Sequence, residues 1–138
     1  MLRFVLLYHE CPPGYVRTSH WDLMLEEGDA LRTWALAQLP RSWDAAWAKT
    51  AESAADCPAI SSDDSVAAEQ LADHRLVYLH EEGPLSGDRG AVRRIDGGTY
   101  ESDLGKSGEV AIVLQGEWIR GRVTLRCGTS LRWMLVTD

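Results

Sequence analysis

The sequence predicts a mainly β fold: a small closed or nearly closed antiparallel β-barrel of about eight strands with one or two short helices. Two-residue alternation of apolar and polar side chains dominates the 138 residues, as expected for strands with one buried face. Short strands separated by Gly- and Asp-rich turns favour a closed barrel or sandwich. With 45% hydrophobic and 25% charged residues, the chain can bury the core of one domain.

The strand pattern recurs along most of the chain. Glu27-Gly28-Asp29 is a turn signal, so the segments on either side of it predict a hairpin. Asp96-Gly97-Gly98 and Gly116-Glu117 are predicted as further turns. The predicted strands are 2–8, 20–26, 30–37, 75–80, 90–95, 109–114, 118–126 and 131–136.

Residues 41–72 differ from the rest and are predicted as a helical and loop decoration on a single domain, 1–138. They are rich in Ala, Ser and Asp. The stretch 66–74 predicts a helix with its N-cap near Asp64 or Ser65, and 43–51 predicts a second short helix or a strand. Trp43 and Trp47 lie at helical i, i+4 spacing, which would pack the decoration onto the barrel.

Charge and cysteine content narrow the classes of function. The net charge is −7, and residues 1–74 hold five basic and twelve acidic side chains. A basic footprint typical of dedicated nucleic-acid binders is therefore missing from the sequence. Its three cysteines are too few for a disulfide framework and indicate a cytoplasmic protein. We expect no membrane association, since no apolar run approaches the length of a bilayer span.

The histidines are the most informative polar residues. His20 and Asp22 share one face of the second predicted strand, and antiparallel pairing with the first strand would bring His9 beside them. Two imidazoles and a carboxylate with open positions suit a divalent metal, although the same pattern also fits polar side chains that face solvent. Cys11 adds a thiol, so a tetrahedral zinc site is an alternative.

His74, just before the predicted strand 75–80, and Tyr78 within it would lie on the same face if the strand extended to His74. Strand rise would separate them by about 13 Å, so they could border one cleft without touching. A barrel wall with one aromatic side chain packed inward is the alternative interpretation of this pair.

Six short segments occur in the order found in one family, and together they cover nearly the whole chain. The sequence resembles the 3′-phosphoesterase domain of bacterial DNA ligase D, of which it would be a stand-alone, divergent member. The segments are Arg3-Phe4-Val5 leading to His9, His20-Trp21-Asp22, Thr33-Trp34-Ala35, Asp73 to Tyr78, Glu82-Gly83 and Gly98-Thr99-Tyr100-Glu101.

The resemblance implies a small β-barrel hydrolase that uses manganese to trim 3′-phosphate and 3′-ribonucleotide ends in DNA repair. His9, His20 and Asp22 would be its metal ligands, with Mn²⁺ the expected ion and Zn²⁺ the alternative. His74 and Tyr78 would be its catalytic residues. The implied partners are 3′ ends of DNA or RNA and a repair ligase or polymerase, and we expect a monomer.

The sequence departs from the family at the phosphate-binding positions. Met24 stands where the family has a phosphate-binding arginine, and the loop between His9 and His20 is longer than in the family. Arg17, Arg75 or Arg89 would have to replace the lost charge, and we expect weak phosphatase activity. The alternatives are a non-catalytic homologue that binds metal and a phosphorylated ligand or a repair partner, and a structural zinc domain through Cys11.

Overall fold

The computed structural model describes residues 1–50, 60–103, 108–129 and 132–137. Cys57 and residues 51–59 of the predicted decoration lie outside the described residues. The described strands are β1 (Leu2–Glu10), β2 (His20–Glu27), β3 (Ala30–Leu36), β4 (Ser65–Arg75), β5 (Gly83–Pro84), β6 (Ala91–Asp103), β7 (Glu109–Gly116), β8 (Arg120–Cys127) and β9 (Trp133–Thr137).

The predicted closed antiparallel barrel is confirmed. Eight strands follow the order β1-β2-β3-β4-β9-β8-β7-β6, and pairing between β1 and β6 closes the sheet. The short β5 is added to the free side of β6. Eight strands enclose an interior that side chains can fill, which explains why the barrel is solid.

Alternation sends successive side chains of each strand to opposite sides of the barrel wall. The inward side chains, including Phe4, Leu6, Trp21 and Trp34, form the main core. A short helix, α1 (Asp44–Thr50), follows a 3-10 turn at Arg41–Trp43. Its Trp47 ring lies 5.5 Å from the Trp21 ring, so the predicted packing of this helix onto the barrel is confirmed.

A second, smaller core lies on the outer face of the wall. Outward side chains of β1 and β2, among them Val5, Leu7 and Met24, pack against Tyr78 and Leu79. The last two residues belong to a 3-10 helix, Leu76–Leu79. This helix covers the wall beside the ends of β1 and β2, where the predicted metal ligands lie.

Two of the predicted elements are wrong. Residues 66–74 form β4 instead of a helix, because the edges of β3 and β9 are available for pairing and outweigh the helix propensity of Ala, Glu and Gln. Within the predicted strand 75–80, Leu76–Leu79 form a 3-10 helix, because burial of Tyr78 and Leu79 against the outer wall fixes them there. Residues 65–72 of the predicted decoration therefore belong to the barrel strand β4.

The predicted turn at Asp96-Gly97-Gly98 is also wrong, since these residues lie inside β6. A register shift in the β1–β6 pairing, between Leu6 and Leu7, places a bulge just before them. Gly98 allows the close approach of β7, because a Cβ there would collide with the Gln115 carbonyl. In the described ranges, no helix has the length and apolar character needed to cross a bilayer.

Candidate metal and phosphate site

The β1–β2 register places the two predicted histidine ligands side by side on the outer wall. His9 is the Cα partner of His20, and their ring centroids lie 5.1 Å apart. His20 is buried and His9 is half-buried. The predicted juxtaposition of these imidazoles is therefore present.

Asp22 lies against His20 but without a partner of its own. Its Oδ1 is 3.1 Å from Nε2 of His20, and only 3% of the residue is exposed. The contact lacks hydrogen-bond alignment, so Oδ1 is a buried carboxylate oxygen with no hydrogen-bond partner among the residues described. A buried, unpaired carboxylate oxygen is costly unless a proton or a cation accompanies it.

Backbone carbonyls fix which nitrogen of each histidine carries the proton. A carbonyl only accepts, so Nδ1 of His20 donates to Thr18 at 2.8 Å and Nε2 of His9 donates to Arg89 at 2.7 Å. In the neutral rings, the lone pairs are then on Nε2 of His20 and Nδ1 of His9. Such carbonyl contacts are typical of histidines that ligate a metal through the other nitrogen.

The neighbourhood of His20 favours positive charge. Burial lowers the pKa of His20, but the close Asp22 carboxylate, 3.1 Å from Nε2, and the Thr18 carbonyl raise it, and the net pKa is above the usual value. The same electrostatics that attract a proton to this position attract a metal cation. The surroundings of His20 are therefore compatible with a bound cation.

Cys11 lies on the other side of the His20 ring. Donor atoms of His9, Cys11 and His20 all lie within 4.8 Å of one another, and Sγ of Cys11 is 4.0 Å from Nδ1 of His20. Burial and the charge of Asp22 raise the pKa of the Cys11 thiol. Among the described residues, the compact group of donor atoms is therefore the one with Cys11, and the predicted ligand Asp22 contacts His20 without belonging to that group.

His74 and Tyr78 face the same small cavity as His9 and Asp22. The cavity has a volume of about 100 Å³ and is lined also by Tyr15, Met24, Leu85, Arg89 and Val92. The rings of His74 and Tyr78 are 5.6 Å apart, so the prediction that they could not touch is wrong. The 3-10 helix folds Tyr78 back over the end of β4, whereas an extended strand would have separated them.

Of the three predicted phosphate-binding arginines, Arg89 lines the small cavity and Arg17 and Arg75 do not. Arg89 lines the cavity, and its guanidinium is held by the carbonyl and the hydroxyl of Ser86, at 2.7 and 3.2 Å. Arg17 lies outside the cavity and forms a two-pronged ion pair with Glu69 at 2.7 and 3.1 Å. Met24 is 1% exposed and offers the cavity an apolar thioether.

Sequence reasoning missed Tyr15 and the backbone carbonyls. The Tyr15 ring lies 5.9 Å from the His9 ring, brought there by the long loop between β1 and β2. A carbonyl has no residue-specific signal, so Thr18 and Arg89 could not be identified as partners of the histidines. Comparison with known proteins adds no family, since no family model and no curated protein matches the chain.

Proposed function

We propose that the protein is a divalent-metal-dependent phosphoesterase acting on 3′ ends of nucleic acid. The observation that supports this most is the buried, unpartnered Oδ1 of Asp22 beside the Nε2 lone pair of His20. Residues suited to phosphate chemistry, His74, Tyr78 and Arg89, line the adjoining cavity. The resemblance to the ligase D phosphoesterase domain points to the same chemistry and to a role in DNA repair.

In the proposed reaction, three side chains would bind the metal and two would act on the substrate phosphate. His9, His20 and Asp22 would hold the ion, which when bound polarises a phosphoryl oxygen and lowers the pKa of a coordinated water. His74 donates Nδ1–H to the Ala72 carbonyl at 2.9 Å, so its Nε2 is the nitrogen that exchanges a proton with substrate. Tyr78 lies against this ring and would orient it, and its hydroxyl adds a donor for a phosphoryl oxygen.

The metal is expected to be Mn²⁺ with the Asp22 donor set, because a carboxylate is a harder ligand than a thiolate. The compact cluster of His9, Cys11 and His20 supports Zn²⁺ as the alternative. A specific observation also favours a second function, a non-catalytic protein that binds metal and a phosphorylated ligand. Met24 lines the cavity at the position where the family has a phosphate-binding arginine. Arg17 cannot readily replace that arginine, because it is already paired with Glu69.

The test is incubation with labelled primers ending in a 3′-phosphate or a 3′-ribonucleotide, with and without Mn²⁺. We expect metal-dependent removal of the ribonucleotide, weak removal of the phosphate, and loss of both in His20→Ala. His80→Ala is the matched control, because His80 is an exposed histidine outside the cavity. Metal binding by calorimetry without turnover of either primer would favour the non-catalytic function.

A further inference from the structure

A groove of about 830 Å³ runs along the outer wall beside the metal-ligand cluster. Its floor consists of alanines, Ala35, Ala37 and Ala67, where larger outward side chains would have filled the space. Its volume falls in the range of small-ligand sites. The groove therefore has room for a bound molecule.

The two walls come from different parts of the chain. The long loop between β1 and β2 supplies Val16, Arg17 and Thr18, and the start of β9 with the residue before it supplies Arg132, Trp133 and Met134. Val16 is 89% exposed and Met134 is 42% exposed. Both apolar side chains are therefore accessible to a molecule in the groove.

His20 connects this groove to the small cavity. It lines the groove, and it contacts Asp22 and faces His9, both of which line the cavity. The cavity, at about 100 Å³, equals the volume of about three liquid waters. It accommodates an ion with a phosphoryl group, but a nucleoside attached to that group has to lie outside it.

We propose that the groove binds the last one or two nucleosides of a single-stranded 3′ end while the phosphate occupies the cavity. This inference rests on the proposed function and names the part of the protein that holds its substrate. A base face would lie on the exposed Met134 side chain, since thioethers pack well against π-systems. Arg132 would contact the adjacent backbone phosphate.

The charge of the groove favours a short single strand over a duplex. Among the lining residues that the structure describes, Arg17 and Arg132 are the basic side chains and Glu69 is the acidic one. With Arg17 already paired with Glu69, few phosphates can be neutralised. We expect a shallow salt dependence, with log K against log[salt] of slope about −0.7 to −1.4 for one or two phosphates.

The experiment uses two substrates and an independent binding measurement. Bis(4-nitrophenyl) phosphate tests the metal chemistry without nucleosides, a pentanucleotide with a 3′-ribonucleotide tests the groove, and anisotropy of its fluorescein-labelled form measures binding with Mn²⁺ present. Ala67→Leu fills the floor, and Val16→Asp places a negative charge on an exposed position where folding is unaffected. Gln115→Leu is the control, since Gln115 is an exposed strand residue outside the groove.

We expect Ala67→Leu and Val16→Asp each to weaken pentanucleotide binding and raise its KM about tenfold, with hydrolysis of the chromogenic diester unchanged. Gln115→Leu should match the wild type. Binding that is equal in all four proteins, or absent in the wild type, would overturn the groove assignment even if the diester is hydrolysed. Conversely, binding that depends on the groove without hydrolysis of either substrate would support the groove and overturn the enzymatic function.

Discussion

Hydrogen bonds from histidine rings to main-chain carbonyls organise the site at the scale of single residues. His9, His20 and His74 each donate one ring N–H to a carbonyl. Each ring is thereby oriented, and one nitrogen of each remains for chemistry. The sequence predicted the residue types and their common face, but the choice of nitrogen depends on local backbone geometry that residue types do not specify.

Replacing Asp22 by Asn separates metal binding from stability. The substitution removes the unpaired carboxylate and leaves an amide that can donate to Nε2 of His20. We expect Mn²⁺ affinity to fall at least tenfold, while the melting temperature of the metal-free protein at pH 8 stays the same or rises. Calorimetric titration with MnCl₂ and thermal melts in chelator measure the two effects. A lower melting temperature with unchanged affinity would show that Asp22 is a structural residue.

The raised pKa of His20 predicts opposite pH dependences for metal binding and metal-free stability. Protonation competes with the metal, so affinity for Mn²⁺ should fall as the pH drops through the pKa of His20, which lies above the ordinary 6.5 of histidine. Without metal, the protonated His20–Asp22 pair stabilises the fold fully below about pH 6.5, and this stabilisation is lost as the pH rises through the folded-state pKa.

The difference in melting temperature between the metal-free wild type and His20→Gln isolates this contribution from other titrating groups. It should be largest at pH 6 and shrink towards pH 8.5. A difference that grows with pH would mean that His20 is buried in its neutral form and that its pKa is lowered instead.

At the scale of elements, whether a segment forms a strand or a helix depends on which neighbouring strands are available to pair with it. The β2–β3 hairpin was predictable because its Glu27-Gly28-Asp29 turn and its alternation agree. The facing of His9 and His20 was predicted separately, from antiparallel pairing of β1 with β2. β4 was not, because Ala, Glu and Gln favour helix locally while Val66 and Ala68 alternate weakly. The edges of β3 and β9 decided the outcome, and single-sequence patterns contain no record of such long-range pairing.

Asp96 is the polar residue on which the β6–β7–β8 corner depends. It is 3% exposed, and its two oxygens accept four backbone N–H bonds, from Gly97, Glu117, Trp118 and Ile119. A carboxylate can accept all four, whereas an amide presents an NH₂ group to some of these donors. The residue thus ties the bulged strand β6 to the β7–β8 turn.

Asp96→Asn should therefore destabilise the protein by about 3 kcal/mol, since buried donors left unsatisfied cost roughly 1–3 kcal/mol each. Urea unfolding measures the change in midpoint, and metal affinity of the folded fraction should be unchanged because Asp96 is remote from the cavity lining. Asp29→Asn, in the exposed β2–β3 turn, is the control and should behave like the wild type. Equal stability of the two variants would mean that the corner does not depend on the carboxylate charge.

At the scale of the whole molecule, closure of the barrel is what assembles the site. β1 pairs with β2 on one side and with β6 on the other, so the two proposed histidine ligands and the segment carrying Arg89 meet only when the sheet closes. The barrel and the facing histidines could be predicted from alternation. The position of the 3-10 helix over the wall could not, because it depends on burial of Tyr78 and Leu79 in a second core outside the barrel.

Because the proposed ligands lie on strands of the closed sheet, metal binding should stabilise the entire barrel. At a free Mn²⁺ concentration of one hundred times the dissociation constant, the stabilisation is about 2.7 kcal/mol. For a domain of this length this corresponds to an increase in melting temperature of roughly 10 °C. Far-ultraviolet circular dichroism reports the strands, and tryptophan fluorescence reports Trp21 and Trp34 in the core.

Both signals should shift together on addition of Mn²⁺ in the wild type and in His80→Ala, and neither should shift in His20→Ala. Coincident transitions are expected because unfolding of β1 opens the barrel on both of its edges and exposes the main core. If the metal instead raises only one of two separate transitions, the wall that carries the ligands unfolds independently of the remaining strands. The site would then be a local feature of the β1–β2 hairpin rather than a product of barrel closure.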